Sequence, residues 1–595
     1  MVNIMMKLFL PVLAAFLAPS LFAQVQRPSV EIDTTSTGNA FFFSLVTEGE
    51  TSVVVYGDEG ATGQQVIYAS TSDGRGVNWS APIAISNDPT NAVKFTSKES
   101  AKILDGRVYA VWVDERVPGT QDLYLNTSDD GGNTWNGEVL VPKPFAGLGE
   151  LNGRFDFDVR LHPNGNHELY FLYAWDPGGG FSDLYLTKSA DGGMTFEMPR
   201  TISASAIDPS LVGKLDIEIQ DDEVHVAWYD SLGSPIPTIP AFRTYYQKSA
   251  DGGQTWLPSD TLLTSMYFDT GNFYDRMGLR VEGDTVAVFW QAVELFDIAQ
   301  NGAVRVAIST DGGASFGADE IVGGYVPDEH DIDRVAIQIV EGNVLLAWND
   351  NRTNNDELYV QRRAAGGTSW TETQLTNGPR PGGGFGAELV KHGSEVFLLG
   401  GGPGLPNGAV AVRSTDSGAS WGNLFELFDH PGLDLIIFVD GAYNELYDNL
   451  IMGWNVQNTV TGDRQLRIGG FRQQTLEVSG FDSLSGAGTF KYSGFRGGVD
   501  TTAFALLSGS PGNLFLPYPS MRNLGVTFDS LALSSLGSLF LNTSAILGPG
   551  GDGVSIPLAY SLTGPATFYA VGVALDFSPG EVVGLTTDIV SVSIF

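Results

Sequence analysis

The chain has 595 residues, and its 69 acidic residues exceed its 32 basic ones to give a formal net charge of −37. So negative a surface repels phosphate and excludes nucleic acid as an expected partner. There is no cysteine, which excludes disulfides and thiolate chemistry, and the six histidines lie scattered without a close metal-ligand pair.

Residues 1–23 read as a secretory signal. Lys7 supplies a basic start, Leu8 to Leu17 is apolar, and Ala23 stands at a cleavage point before Gln24. The run is short for a membrane span, a membrane anchor being the alternative, and no later segment has a membrane-length apolar run. The mature protein is therefore expected to be secreted, cell-surface or periplasmic, with no span left after cleavage.

From about residue 30 to 478 the chain repeats. Apolar runs alternate with period two in Val108–Asp114, Tyr170–Asp176, Val224–Asp230, Val286–Gln291 and Val344–Asp350, with weaker copies at Val53–Gly57, Val396–Gly400 and Asn449–Asn455. A strand precedes each run, a third follows it, and a short motif closes the third. The motif reads Ser-x-Asp-x-Gly-x-x-aromatic in Ser128–Trp135, Ser189–Phe196, Ser249–Trp256, Ser309–Phe316 and Ser414–Trp421. Thr71–Trp79 has one extra residue, and Arg363–Trp370 has Ala365 in place of the aspartate. Asp and Gly favour a turn, and the aromatic residue returns the chain to a packed layer. The aromatic residues recur every 51 to 61 positions, enough for four short strands. Four-stranded units at even pitch predict a β-propeller of eight units, with seven as the alternative count and a solenoid as the competing architecture. Residues 479–595 lack Trp and His but still alternate, at Ala503–Leu507, Leu524–Leu531, Phe568–Leu575 and Ile589–Phe595. They predict a β-sandwich accessory domain, structural or for attachment.

The repeated motif resembles the Asp-box, or BNR repeat, of the sialidase (neuraminidase) superfamily, over about 440 residues. The resemblance implies a propeller at extracellular glycans, and it makes Asp73, Asp130, Asp191, Asp251, Asp311 and Asp416 fold residues on the face away from the chemistry. The functional face then holds the first-strand starts and the loops after the second strands. Counting back sixteen residues from the second-strand ends Asp114, Asp176, Asp230, Ala292 and Asp350 gives Lys98, Arg160, Lys214, Arg276 and Arg334. Two loops share a pattern, Asp114-Glu115-Arg116 before Asp122 and Asp350-Asn351-Arg352 before Asp356.

Sialidases hold the sugar carboxylate with an arginine triad, attack with a Tyr–Glu pair and use an aspartate as acid. Carried over by position, this implies Arg160, Arg276 and Arg334, with Arg116 and Arg352, for the substrate, Tyr274 as nucleophile and Asp114 or Asp122 as acid. The superfamily's Phe/Tyr-Arg-Ile-Pro motif is missing, since Arg27-Pro28 does not match it. The alternative function is therefore a non-catalytic binding or scaffold propeller, in which the same charges make inter-blade salt bridges. No cofactor is required by either reading; the Asp-rich residues 328–333 (DEHDID) could bind calcium.

Overall fold

The computed structural model describes residues 30–32, 43–59, 65–74, 76, 78–87, 94–95, 100–116, 120–144, 151, 154–176, 182–203, 212–231, 241–264, 267–268, 277–292, 303–322, 332–350, 357–376, 387–401, 409–422, 425–428, 434–447, 449–458 and 464–471. Beyond these it describes the C-terminal strands Thr475–Ser479, Ala487–Ser493, Thr502–Ser508, Ala545–Ile546, Gly553–Val554, Leu558–Ala559, Ala566–Leu575 and Val590–Ile594. Two compact units result, Pro28–Gly470 and one that contains Phe471–Phe595.

The first unit is an eight-bladed propeller, as the repeat predicts. Antiparallel sheets of four strands, with an extra short strand in blades 2 and 4, span residues 43–84, 94–140, 155–201, 212–268, 277–322, 332–374, 387–428 and 434–471, here blades 1 to 8, blade 8 taking its fourth strand from Val30–Glu31. First strands touch in cyclic order, blade 8 against blade 1 included. The second strands carry the apolar alternation and are buried on both faces. Trp112, Trp175, Trp228, Trp290, Trp348 and Trp454 are among the largest fully buried side chains. Each cluster of core residues straddles two neighbouring blades, so blades are held by the layer between them.

The recurrent turn is built from side-chain hydrogen bonds. In blade 4 the Ser249 hydroxyl donates to Asp251 Oδ1 (2.8 Å) and accepts from Gly253 N–H (2.8 Å). Asp251 also accepts from the Thr255 N–H (2.7 Å) and hydroxyl (2.6 Å). Asp130, Asp191, Asp311 and Asp416 repeat this geometry with Thr134, Thr195, Ser315 and Ser420. The position before the aromatic residue, read from sequence as unspecified, is thus a hydroxyl residue in all five copies. The imperfect copies differ as their sequences do. Asp73 accepts from the Ser72 hydroxyl across 3.4 Å. In blade 6, Arg363 stands at the serine position and donates to Gly367 O (2.7 Å), and it pairs with Glu320 of blade 5.

The turn also docks onto the preceding blade. Phe316 meets Tyr246 edge-on at 4.7 Å, and a methyl on Gly313 (φ +81°) would overlap the Tyr246 hydroxyl. Lys188 and Lys248 donate to Gly252 O (3.5 Å) and Gly312 O (2.6 Å) of the next blade.

Closure was not legible in the repeat. Val30–Glu31, at the start of the described chain, pairs antiparallel with Arg467–Ile468 as the outermost strand of blade 8, and Ile32 N–H continues to Leu466 O (3.1 Å). In the C-terminal unit the described strands form two antiparallel sheets and include the expected strands at 503–507 and 568–575 and residues 590–594 of the one expected at 589–595; residues 524–531 lie outside the described residues.

Gly313→Ala should cost about 2–4 kcal/mol by denaturant titration, from overlap added to a positive φ. Gly312→Ala, with positive φ but its nearest neighbour the Lys248 amine at 3.4 Å, should cost about 1 kcal/mol. Hydrogen bonds from Thr255 and Ser315, foremost, draw the Asp251 and Asp311 carboxyls down to about 2. A depressed folded value stabilises above the unfolded value of 3.8 and is lost as pH falls toward 2. The stability gap between wild type and Thr255→Val should therefore be constant above pH 5 and shrink between pH 4 and 2.

Candidate functional site

The two ends of the propeller differ in chain economy. First and second strands are joined by two-residue hairpins in six blades, at 49–50, 105–106, 221–222, 283–284, 341–342 and 393–394. Asp105-Gly106 and Glu341-Gly342 have both φ positive, the hairpin geometry that matches strand twist. These hairpins share an end with the recurrent turns, shown by Gly252 N–H donating to Asp222 O (2.8 Å) and Gly312 N–H to Asp284 O (2.8 Å). At the opposite end, the connections from second to third strands run from 60–64 to the longer 232–240 and 293–302. Long connections on one face of a rigid scaffold are where binding groups gather.

At that upper face the second strands can be aligned through their partners. Val108, Leu169, Val224, Val286 and Val344 each pair with the last residue of the third strand, and six residues further stand Asp114, Trp175, Asp230, Ala292 and Asp350. Asp114 faces Asp122, Asp230 faces Arg243, and Asp350 faces Glu357.

In blade 2 both candidate acids are committed to cations. Arg116 donates to Asp114 Oδ2 (2.6 Å) and Glu138 Oε2 (2.7 Å), with its guanidinium 3.9 Å above the Tyr124 ring. Its N–H also donates to Asp114 Oδ1 (2.8 Å). Lys143 meets Asp122 Oδ1 at 2.9 Å and lies over the Trp175 ring of the next blade. Neither Glu138, Lys143 nor Tyr124 had a motif to announce it; each is recruited from a neighbouring strand by cross-strand geometry.

Of the expected basic set, Arg160 does not lie at the upper face. It pairs with Glu168, one step from the hairpin, where it meets Glu168 (2.6 Å) and Asp222 of blade 4 (2.6 Å). Counting sixteen residues failed here because the blade 3 hairpin is longer, at 162–166. Lys214 and Arg334 do reach the level of the strand-end carboxylates. Val212 pairs with Asp230 and Ile332 with Asp350, and a bulge follows in each strand, at Val212/Leu215 and Asp333/Ala336. Only the backbone of Arg334 is described. Lys98, Tyr274, Arg276 and Arg352 lie outside the described residues, as does the candidate calcium stretch apart from the backbone of Ile332 and Asp333. Among the described residues no group of three or more His, Asp or Glu could hold a metal ion.

The inner strands carry a second charged set, missed in the sequence. Asp156, Asp216 and Asp440 each accept the backbone N–H of the next blade's inner strand, from Ile217 (2.9 Å), Leu279 (2.9 Å) and Leu45 (2.8 Å). One rung further, Lys102 faces Asp158 (3.6 Å), and Arg280 reaches Glu218 (3.0 Å) and Asp216 (3.7 Å). Surrounding protein desolvates the Glu218 carboxyl, and Asp158 and Asp216 add to this against Arg280, raising it to about 7. The side chain still keeps 28% of its surface.

No protein-family model and no curated protein matches the chain. Among solved structures, a PL25 ulvan lyase is 13% identical, with 67% of this chain and 93% of that chain covered and a TM-score of 0.38. An α-L-arabinofuranosidase from Fusarium graminearum is 12% identical over 66% and 98%, with a TM-score of 0.34. A protein of unknown function from Dyadobacter fermentans is 16% identical over 52% and 93%, with a TM-score of 0.33. These likenesses carry no reaction, ligand or site to this chain. Among the described residues no helix is long and apolar enough to cross a membrane.

Arg116→Ala leaves two buried carboxylates facing each other's fields and should cost about 3 kcal/mol in denaturant titrations. Arg200→Ala, whose contact to Glu197 is 3.9 Å and exposed, should cost less than about 0.5 kcal/mol. For Glu218 the folded value lies above the unfolded 4.5, so stability is lost as pH rises from 4.5 through 7. Glu218→Gln should remove that slope, gaining on wild type across the same window.

Proposed function

We propose that this chain is exported and binds carboxylate-bearing extracellular glycan at the upper face, without the arginine-triad hydrolysis of a sialidase. The observation that carries the reading is that Lys214 and Arg334 come to the level of Asp230 and Asp350 on the face with the long connections. An acidic sugar needs a cation for its carboxylate and acceptors for its hydroxyl groups, and this level offers both residue types. The apolar run after Lys7 supports export.

Against hydrolysis stands the commitment of the expected groups. Arg160 is tied to Glu168 and Asp222 at the other end of its blade, Arg116 to Asp114 and Glu138, and Asp122 to Lys143. A glycosidase needs one carboxyl poised to donate a proton at the scissile oxygen, whereas here Arg116 and Lys143 cover both candidates.

The test is a pair of assays on the purified mature chain. Affinity electrophoresis through gels containing polygalacturonate or neutral xylan should retard the protein in the acidic gel alone, with retardation lost at high salt. A fluorogenic sialoside should show no release from pH 4 to 8. Release that disappears on Arg276→Ala would establish the hydrolase instead, and equal mobility in both gels would sink the acidic-glycan reading.

A further inference from the structure

The fold sorts the methionines among the described residues into two kinds. Met277, on the first strand of blade 5, is 3% exposed, and Met452, on the second strand of blade 8, is fully buried. Met194 and Met198 are 69% and 78% exposed, the most exposed of the large apolar side chains described. Both lie in blade 3, Met194 inside the recurrent turn Ser189–Phe196 and Met198 two residues past it.

The turn does not need a thioether at either place. Its side-chain bonds run through Ser189, Asp191, Gly193 and Thr195. Past the turn, the Glu197 N–H donates to Lys188 O (2.8 Å). In the other four intact copies the place of Met194 is held by Asn133, Gln254, Ala314 and Ala419, and that of Met198 by Gly137, Pro258, Ala318 and Asn423. These positions accept small and polar residues alike. Methionine ordinarily fills irregular gaps in an apolar core, and a thioether oxidises according to its access. Two thioethers four residues apart on one solvent-facing stretch depart from both the repeat and that habit.

We propose that the stretch from Met194 to Met198 is a modification site for hydroperoxides, oxidised while the ring stays closed, whereas Met277 and Met452 are oxidised only when their blades open. In each step the thioether sulfur attacks one peroxide oxygen, the O–O bond breaks and an S–O bond forms. The sulfur gives up two electrons and becomes a sulfoxide, and hydrogen peroxide is reduced to water. At Met194 and Met198 the new dipole is hydrated and displaces no packed atom. At Met277 it would put an unpaired acceptor into the apolar layer between blades 4 and 5. Oxidation there therefore waits for local opening. The turn belongs to the end of the ring opposite the long connections, so the site is independent of the proposed glycan face.

Peptide mass mapping of the full mature chain during treatment with hydrogen peroxide at neutral pH is the test. Uptake of one oxygen at each of Met194 and Met198 should outpace that at Met277 and Met452 by about tenfold or more, and the difference should vanish in urea above the unfolding midpoint. With only the exposed pair converted, the melting temperature should stay within about 1 °C of the untreated chain. The double variant Met194→Leu, Met198→Leu should melt as the wild type does and leave the slow oxidation of Met277 and Met452 unchanged. Oxidation of Met277 or Met452 in the folded chain as fast as that of the exposed pair overturns the proposal. A lower melting temperature once the pair alone is converted, or in the double variant, overturns it equally.

Discussion

Everything in the ring depends on how one aspartate closes a turn. The Asp251 carboxylate accepts the N–H and hydroxyl of Thr255 and the hydroxyl of Ser249, which itself holds Gly253 N–H. With its serine and threonine hydroxyls and the Gly253 and Thr255 N–H groups bonded internally, the turn can lie against another blade without stranding those groups. It then offers what a close joint requires, a bare glycine backbone and the flat face of an aromatic ring. The same few atoms thus make a local turn and a long-range dock, which is why the motif repeats. Where the aspartate is lost, in blade 6, the dock survives because Arg363 and Trp370 both bind Glu320 of the blade before.

Architecture was legible because its signals are local. Alternating apolar strands and Ser-x-Asp turns lie within about ten residues of each other, and their period gave blade number and orientation. The site was legible only in part because ladder register is not a fixed count. Arg160 slipped to the wrong end of its strand through a hairpin three residues longer than its neighbours'. Lys214 and Arg334 arrived at the expected level despite the bulges, since both blades bulge alike. Arg280, Glu218 and Asp158 face one another from different blades, and nothing short-range links them in sequence.

Charge in this protein is distributed by layer. Basic groups at the lower end and along the inner strands are spent on joints between blades, as with Arg160 to Asp222, Lys248 to Gly312 and Arg280 to Glu218. A chain with a net charge of −37 has few cations to spare, and those just named are placed where one blade meets the next.

The strand Val30–Glu31 sets the order of events in biogenesis. It leaves the ribosome first, yet its partners Arg467 and Ile468 are made more than four hundred residues later. Blades can form one by one as a growing arc, each new blade settling on the last, but the final seam waits for the far end of the propeller. Until then the arc has two unsatisfied edges, the state in which β proteins mispair with their neighbours. Synthesis time is therefore exposure time, and the seam converts an open, sticky arc into a closed ring in one late step.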